Sequence, residues 1–463
     1  MRELNRPVMP LRATALLALA ATAVVVDASF TVHPQQVLRS GADRWMGINL
    51  NYIRDADANR PAGAATLAEA LSGLGARHLR YPGGEKSDYH RFAPPPYDRP
   101  APVSMGWYET VAGQRMDFDA YITTCRACAA EPYVVVACDS PELTGATWDE
   151  QLDHAVAWVR YAKGRSCGVR RWEIGNENWH NGTAAPEVMA AQVARFAAAM
   201  RAADPGILIG ASGNNADWWE RFLPGAAGSL DFLTVSVYGC WGWGSYDRLL
   251  RPPEPDLLDA AGAALAAIDR LPGAADRERL RVVVAETNSV DYSDGGWPRT
   301  NDLGHAIATF ESFGRMLREP RISAALLWST RWMDDAEAPG DQFYALDGRN
   351  RPLPSGIAVA LWGRHLADQL VAIDGGAGDL RGHASADARG IAVWLVNRGG
   401  LAAERVAVSF GREGLRACTV QRFSGTGPSD ARPALSAEEP LPIADGACAV
   451  TCPPWSITVL TAR

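Results

Sequence analysis

Two glutamates in this sequence each follow a strongly apolar segment, where an unpaired carboxylate is costly to bury. Glu177 follows the segment RRWEIG, and Glu286 ends the segment VVVAE. Each glutamate alone is explained equally well by an ion pair or by a cap on the next helix. A pair of carboxyl groups about 5 Å apart has a different use, because it can cleave a glycosidic bond with retention of configuration. The pair therefore predicts two-carboxylate chemistry, provided that the fold brings both side chains together.

The elements that position these glutamates follow a regular alternation along the chain. Short apolar segments alternate eight times with longer amphipathic segments, and near-continuous apolar runs are typical of strands in a parallel sheet. Eight such units favour a (β/α)8 TIM barrel, and the lack of a GxGxxG or P-loop motif after an early strand disfavours a doubly wound open sheet. The predicted strands are residues 45–51, 76–82, 132–138, 169–175, 207–212, 231–238, 280–286 and 323–329.

The pattern changes after about residue 345. Segments such as GIAVWLVNRG and ERVAVSFG are short alternating strands separated by Gly, Pro, Asp and Asn turns, which predicts an all-β sandwich. The early segment TAVVVDASFTV has the same character, so we expect it to join that sandwich. The predicted α/β chain therefore has an N-terminal strand in residues 24–40, a catalytic barrel in residues 41–345 and a C-terminal β-sandwich in residues 346–463.

A TIM barrel builds its active site at the C-terminal ends of its strands. Glu177 follows the fourth predicted strand and Glu286 ends the seventh, and these strands face each other across the barrel mouth. We therefore predict Glu177 and Glu286 as the catalytic pair. The neighbouring Asn176 fits a hydrogen bond to a substrate hydroxyl beside the reacting carbon.

Other strand ends carry candidate substrate-binding residues. Trp328, near the end of the eighth strand, is suited to stacking on a sugar, although core packing explains it equally well. The turn after the second strand offers close backbone approach and polar groups, with a local ion network as the alternative. Loop tryptophans suit sugar contact or loop packing. The remaining candidates are Asn49, Arg80, Gly84, Glu85, Lys86, Trp179, Trp241 and Tyr238.

The segment WEIGNE, together with the glutamate that ends strand seven, resembles the clan of retaining glycoside hydrolases built on this barrel. The resemblance implies that Glu177 is the acid/base, that Glu286 is the nucleophile and that Tyr238 hydrogen-bonds the nucleophile. Residues 79–89, 125–140, 146–162 and 198–213 are similar to α-L-arabinofuranosidases of glycoside hydrolase family 51, and GGEKSDY also resembles the heparanase and glucuronidase family.

The sequence departs from the arabinofuranosidases at two places. Those enzymes carry a substrate-binding glutamate just after the first strand, where this chain has Asn49 and Asn51. They usually place Glu-Trp-Asn at the nucleophile, where this chain has Glu286, Thr287 and Asn288. Both departures bear on which sugar is bound and leave the two carboxylates intact.

The composition limits the classes of partner and cofactor that the sequence predicts. The formal net charge of −8 comes from interspersed charges, so no basic stripe predicts nucleic acid or an anionic membrane. Cys125 and Cys128 have CxxC spacing without a second pair, so we predict no metal and no organic cofactor. Arginines followed by the apolar residues 13–26 and by a small-residue cleavage site predict a signal peptide in residues 1–23. The apolar run is short for a membrane span, so we expect a secreted or periplasmic protein.

The sequence therefore predicts a retaining glycoside hydrolase that acts on plant or microbial polysaccharides or oligosaccharides, resembling the arabinofuranosidases. One alternative is a carbohydrate-binding protein on the same fold without turnover. Another is a β-glucuronidase or endoglycosidase of the same clan. A uronate lyase is a third reading, and it would need a tyrosine or histidine base in place of the paired nucleophile.

Overall fold

The chain forms two sheets in a computed structural model that describes residues 27–95, 112–332 and 344–463. One sheet is a closed parallel barrel, and the other is a ten-stranded mixed sheet. The predicted signal peptide, residues 1–23, lies outside the described residues. Within the three described ranges, no helix is long and apolar enough to cross a membrane.

The barrel confirms the predicted fold class. Each predicted strand overlaps one barrel strand, and the first strand pairs in parallel with both the second and the eighth, which closes the barrel. The open-sheet alternative is therefore excluded. After β1 (Asp27–Ser40), the barrel strands are β2 (Met46–Asn49), β3 (His78–Tyr81), β4 (Glu131–Val136), β5 (Arg171–Ile174), β6 (Leu208–Ser212), β7 (Phe232–Val237), β8 (Arg281–Thr287) and β9 (Ile322–Leu327).

Helices cover the outside of the barrel. Capping boxes at Thr66 and Thr147 start two of them, α1 (Leu67–Leu74) and α4 (Trp148–Gly164). The helix α10 (Pro354–Gly363) follows the predicted domain boundary at residue 345, yet it packs between α9 (Leu303–Leu317) and α1 and completes the ring. The helices are α1 (Leu67–Leu74), α2 (Phe118–Ala127), α3 (Pro141–Thr144), α4 (Trp148–Gly164), α5 (Pro186–Ala203), α6 (Ala216–Ala226), α7 (Ala260–Asp269), α8 (Ala274–Arg279), α9 (Leu303–Leu317) and α10 (Pro354–Gly363).

Apolar side chains fill the lower part of the barrel. Tyr133, Phe232, Val283 and Leu326 form a buried cluster inside it. Gly210 leaves room for this filling, because a Cβ there would lie 2.0 Å from the Phe232 ring. The interior is a packed core at this level, so the polar chemistry is confined to the C-terminal ends of the strands.

The second sheet contains the N-terminal strand, as predicted. The strand β1 pairs antiparallel with β10 and parallel with β13. The predicted sandwich is one continuous sheet that curls around its own core, which includes Phe30, Val393, Val406 and Leu460. Its other strands are β10 (Gln369–Gly375), β11 (Leu380–Ala386), β12 (Ile391–Asn397), β13 (Ala403–Ser409), β14 (Cys418–Ser424), β15 (Ala434–Leu435), β16 (Glu439–Leu441), β17 (Ala447–Cys452) and β18 (Ser456–Ala462).

The contribution of β1 to this core is testable by truncating one side chain. Phe30 is buried whereas Val37 on the same strand is exposed. We expect Phe30→Ala to lower the free energy of unfolding by about 3–5 kcal/mol, because it leaves a cavity, and Val37→Ala to change it by about 0.5 kcal/mol or less. Guanidinium denaturation measures both variants, and equal effects would contradict a core position for β1.

Candidate active site

A cavity of about 870 Å³ opens at the C-terminal ends of the barrel strands. Glu177 and Glu286 both line it, so the fold brings the two predicted glutamates into one site. The other lining residues are Glu85, Trp179, His180, Asn181, Asn214, Ser236, Tyr238, Trp241, Asp259, Tyr292, Arg299, Trp328, Trp332 and Tyr344.

The predicted site residues divide into two groups by position. Those that line the cavity are Glu85, Glu177, Trp179, Tyr238, Trp241, Glu286 and Trp328. Those that are buried behind its wall are Asn49, Arg80, Gly84, Lys86 and Asn176. The residues of the second group influence the cavity by supporting the side chains that line it.

Arg80 connects both sides of the site. Its side chain is 1% exposed, and its guanidinium donates hydrogen bonds to Glu173 Oε2 at 2.8 Å and to Glu286 Oε1 at 2.9 Å. It also donates to Asn176 Oδ1 at 2.7 Å and to Asn49 Oδ1 at 2.9 Å. The four acceptors come from the ends of the first, fourth and seventh strands, so one cation fixes their relative positions.

The two asparagines bonded to Arg80 differ in what remains available. The amide nitrogen of Asn49 already donates to the carbonyls of Ala285 and Leu327, at 2.7 and 3.2 Å. Asn49 is therefore a support between strands, and our prediction of a substrate contact for it was wrong because its amide is consumed inside the protein. The buried Nδ2 of Asn176, by contrast, has no hydrogen-bond partner among the described residues.

Glu286 is buried and held by two donors. Tyr238 Oη donates to its Oε2 at 3.0 Å, and Arg80 donates to its other oxygen. Burial and the nearby Glu177 raise the pKa of Glu286, whereas Arg80 and Tyr238 lower it.

Glu177 is positioned by a clamped loop rather than by a strand. Its φ of +44° places it in the left-handed region, three residues after the end of the fourth strand. The next residue, Asn178, holds the loop by donating to Asp139 Oδ2 at 2.5 Å and to the Cys138 carbonyl at 2.8 Å, while Ser212 Oγ accepts its backbone N–H at 3.1 Å. Burial raises the pKa of Glu177, although hydrogen bonding to Ser236 lowers it.

The two carboxyl groups titrate as a pair because each raises the proton affinity of the other. The hydrogen bonds decide which carboxyl holds the shared proton. Arg80 and Tyr238 both donate to Glu286, and donors favour the ionised form. We therefore place the negative charge on Glu286 and the proton on Glu177 at neutral pH.

Trp328 forms part of the cavity wall above the turn that follows the second strand. Gly84 has φ +61°, and a Cβ on it would lie 2.0 Å from the Trp328 ring. The ammonium of Lys86 lies 4.8 Å from the ring centroid of Trp328 and 4.6 Å from that of Trp332. Burial lowers the pKa of Lys86 to about 7, although Glu286 and other acidic groups raise it. Gly84 and Lys86 thus support the tryptophans from behind.

Several residues that line the cavity were not predicted from the sequence. Ser236 lies within the sixth strand and resembles any other alternating position. Tyr292 and Arg299 lie in an irregular loop after the seventh strand, where no periodic pattern indicates direction. Their position in the sequence indicates Tyr292 and Arg299 all the same, because residues that follow a barrel strand with a catalytic candidate belong to the active-site face.

Comparisons with known proteins bear on the fold. No family model matches the sequence, and no curated protein sequence matches it significantly. Solved structures of glycosidases, however, share its architecture over nearly the whole chain.

The individual structures have low sequence identity. An α-L-arabinofuranosidase from Thermotoga maritima, solved with arabinose, is 18% identical with a TM-score of 0.71, covering 94% of this chain and 99% of that chain. A glucosidase from Croceicoccus marinus is 14% identical with a TM-score of 0.65, covering 95% and 99%. A monomeric β-xylosidase from Caulobacter crescentus is 14% identical with a TM-score of 0.60, covering 94% and 99%. These likenesses confirm the predicted fold.

The support of Trp328 by Gly84 is testable with a matched glycine. Gly84 and Gly41 both have positive φ, but a Cβ on Gly41 meets nothing within 4 Å. We expect Gly84→Ala to lower the free energy of unfolding by about 1–3 kcal/mol more than Gly41→Ala, because only Gly84→Ala displaces a packed ring. Denaturation with near-UV circular dichroism measures this difference, and equal losses in the two variants would refute the packing argument.

Proposed function

We propose that this protein is a retaining glycoside hydrolase that uses Glu286 as nucleophile and Glu177 as acid/base. The observation that carries the proposal is the placement of both glutamates in one cavity, with Arg80 and Tyr238 donating to Glu286 only. This asymmetry supports one ionised and one protonated carboxyl group, which is the starting state that double displacement needs.

In the proposed first step, Glu286 attacks the anomeric carbon while Glu177 gives its proton to the departing glycosidic oxygen. A glycosyl–enzyme ester forms on Glu286 as the glycosidic bond breaks. In the second step Glu177 takes a proton from water, which attacks the same carbon and releases Glu286. In this proposal the buried amide nitrogen of Asn176, which has no hydrogen-bond partner among the described residues, donates to a sugar hydroxyl beside the reacting carbon.

For the substrate, we propose a plant or microbial oligosaccharide or polysaccharide. The similar structures include proteins described as an arabinofuranosidase, a glucosidase and a xylosidase, so the fold itself does not select a sugar. The arabinofuranosidase-like reading is supported by the segments that resemble that family. We also propose an exported protein, on the sequence of residues 1–23 alone.

A carbohydrate-binding protein without turnover is the second candidate. It would need neither the raised pKa of the two glutamates nor a tyrosine aimed at one of them. Covalent labelling with a cyclophellitol-type probe separates the candidates, because only a nucleophilic Glu286 forms the ester.

Removing either glutamate tests the assigned roles. With the fastest substrate from a panel of aryl arabinofuranosides, xylosides, glucosides and glucuronides, Glu286→Ala should abolish turnover, because the carboxylate that forms the ester is removed. Glu177→Ala should lower kcat/KM for poor leaving groups by about 10²–10⁴-fold. Azide should restore turnover to Glu177→Ala and give a glycosyl azide with the substrate's anomeric configuration, since azide needs no general base.

The exposed Glu187, which pairs with Arg221 on the surface, provides the control. Glu187→Ala should retain wild-type rates. Wild-type rates in either cavity variant would refute the assignment.

The pH dependence follows from the shared proton. Because burial raises the pKa of Glu177, kcat/KM should fall as the pH rises through that raised pKa, when the proton needed by the leaving group is lost. The wild type should show this alkaline limb with an alkyl glycoside and a weaker one with a dinitrophenyl glycoside, whose leaving group needs no proton. Glu177→Gln, which has no titrating carboxyl group at this position, should lack the limb with the dinitrophenyl glycoside. Initial rates across the pH range measure both profiles, and an unchanged alkaline limb in Glu177→Gln would place the proton elsewhere.

A further inference from the structure

One wall of the cavity is a series of aromatic rings that runs from the nucleophile candidate to the surface. Tyr292 packs edge-to-face against Tyr238, with ring centroids 5.5 Å apart. Trp241 in turn contacts Tyr292 at 5.6 Å. Trp241 is 60% exposed, more than any other large apolar side chain of the described residues. A tryptophan exposed beside a polar cavity is suited to stacking on the apolar face of a sugar ring.

Asp291 fixes this wall in place before any ligand binds. Its carboxylate accepts the backbone N–H groups of Gly242 and Gly244 at 3.0 Å each, and that of Trp297 at 2.9 Å. Burial alone would raise the pKa of Asp291, but a serine hydroxyl and these three amides hold it well below its usual range. The loop that carries Trp241 is thereby tied to the loop after the seventh strand, and such preorganisation favours binding.

Arg299 stands beside this wall as an uncompensated cation. It lines the cavity, is exposed, and its guanidinium lies 6.0 Å from the Tyr292 ring centroid. It makes no hydrogen bond or ion pair with any residue in the three described ranges. A planar guanidinium in that state is suited to bidentate recognition of a carboxylate.

The remaining charges of the cavity limit where an anionic sugar can sit. The other charged lining groups in the part of the chain that the structure describes are the acidic side chains of Glu85, Glu177, Asp259 and Glu286. They disfavour an anion near the catalytic pair, so Arg299 is the lining group, among the described residues, that stabilises a carboxylate on the substrate. A neutral sugar at the catalytic pair and an acidic sugar at the aromatic wall fit this distribution.

We propose that Trp241, Tyr292 and Arg299 form the leaving-group subsite, and that it binds a uronic acid. The ring of the uronic acid stacks on the two aromatic side chains, and its carboxylate accepts two hydrogen bonds from Arg299. This inference rests on the proposed glycosidase function for the direction of cleavage, whereas the recognition of the carboxylate does not depend on turnover.

The recognition is tested by calorimetric titration of the full-length protein with methyl β-D-glucuronide and methyl β-D-glucoside. We expect the glucuronide to bind about tenfold more tightly, because of the charge-assisted hydrogen bonds, with a preference that weakens in high salt. Arg299→Gln should abolish the preference and leave the glucoside affinity unchanged. Trp241→Ala should weaken the binding of both ligands. Arg251→Gln, at an exposed arginine that pairs with Asp247, should behave as the wild type.

The position of the subsite is tested on protein labelled at Glu286 by a cyclophellitol-type probe, which fills the sugar site at the catalytic pair. A preference for the glucuronide that persists after labelling supports the leaving-group side, and loss of that preference overturns it. Equal binding of the two sugars, or a preference retained in Arg299→Gln, also overturns the proposal.

Failure of the proposed function gives a different pattern. If the protein is neither labelled nor active but keeps the Arg299-dependent preference for the glucuronide, the glycosidase function and the leaving-group role are refuted and the uronate site is supported. If the protein turns over substrate but shows no preference for the glucuronide, the uronate site is refuted and the glycosidase function is supported.

Discussion

The buried guanidinium of Arg80 is the interaction on which the cavity depends. A cation that is 1% exposed is costly to desolvate, and it is tolerated here because carboxylates of Glu173 and Glu286 accept its hydrogen bonds within 3 Å. Glu173 is itself held by the hydroxyls of Tyr133 and Thr234. Each of these groups would be an uncompensated buried charge or dipole without the others, so the strands that carry them are held in one register.

The same cation gives the two glutamates different environments. Arg80 donates a hydrogen bond directly to Glu286, whereas its hydrogen bond on the Glu177 side goes to the neighbouring Asn176. Glu177 depends on a separate clamp formed by Asn178 and Asp139. Electrostatic preorganisation of this kind requires little reorganisation when charge develops during a reaction. The two glutamate side chains are chemically identical. Their environments thus differ because their hydrogen-bond partners differ, and not only because their exposure to solvent differs.

The sequence predicted the barrel strands and both glutamates because these signals are local. An apolar run of four to seven residues followed by a polar residue is visible without knowledge of any partner. The sequence did not show which residues contact one another in the folded protein. Arg80 was predicted near the ligand, whereas its ion partners lie 93 and 206 positions away and enclose it. Asn49 was assigned to the substrate because nothing local shows that its amide bridges two other strands. Tyr292 and Arg299 lie in an irregular loop whose direction depends on Asp291.

The pairing of β1 has a consequence for the order in which the molecule can be completed. β1 precedes the barrel in the chain, but its partners β10 and β13 follow the barrel. Phe30 and Val32 are therefore synthesised more than 300 residues before the strands that complete their core. A barrel made without the C-terminal strands would carry an unpaired apolar strand at its start, and such edges promote aggregation. The second sheet thus joins β1 to the strands that follow the barrel and covers a strand that the barrel alone leaves unpaired.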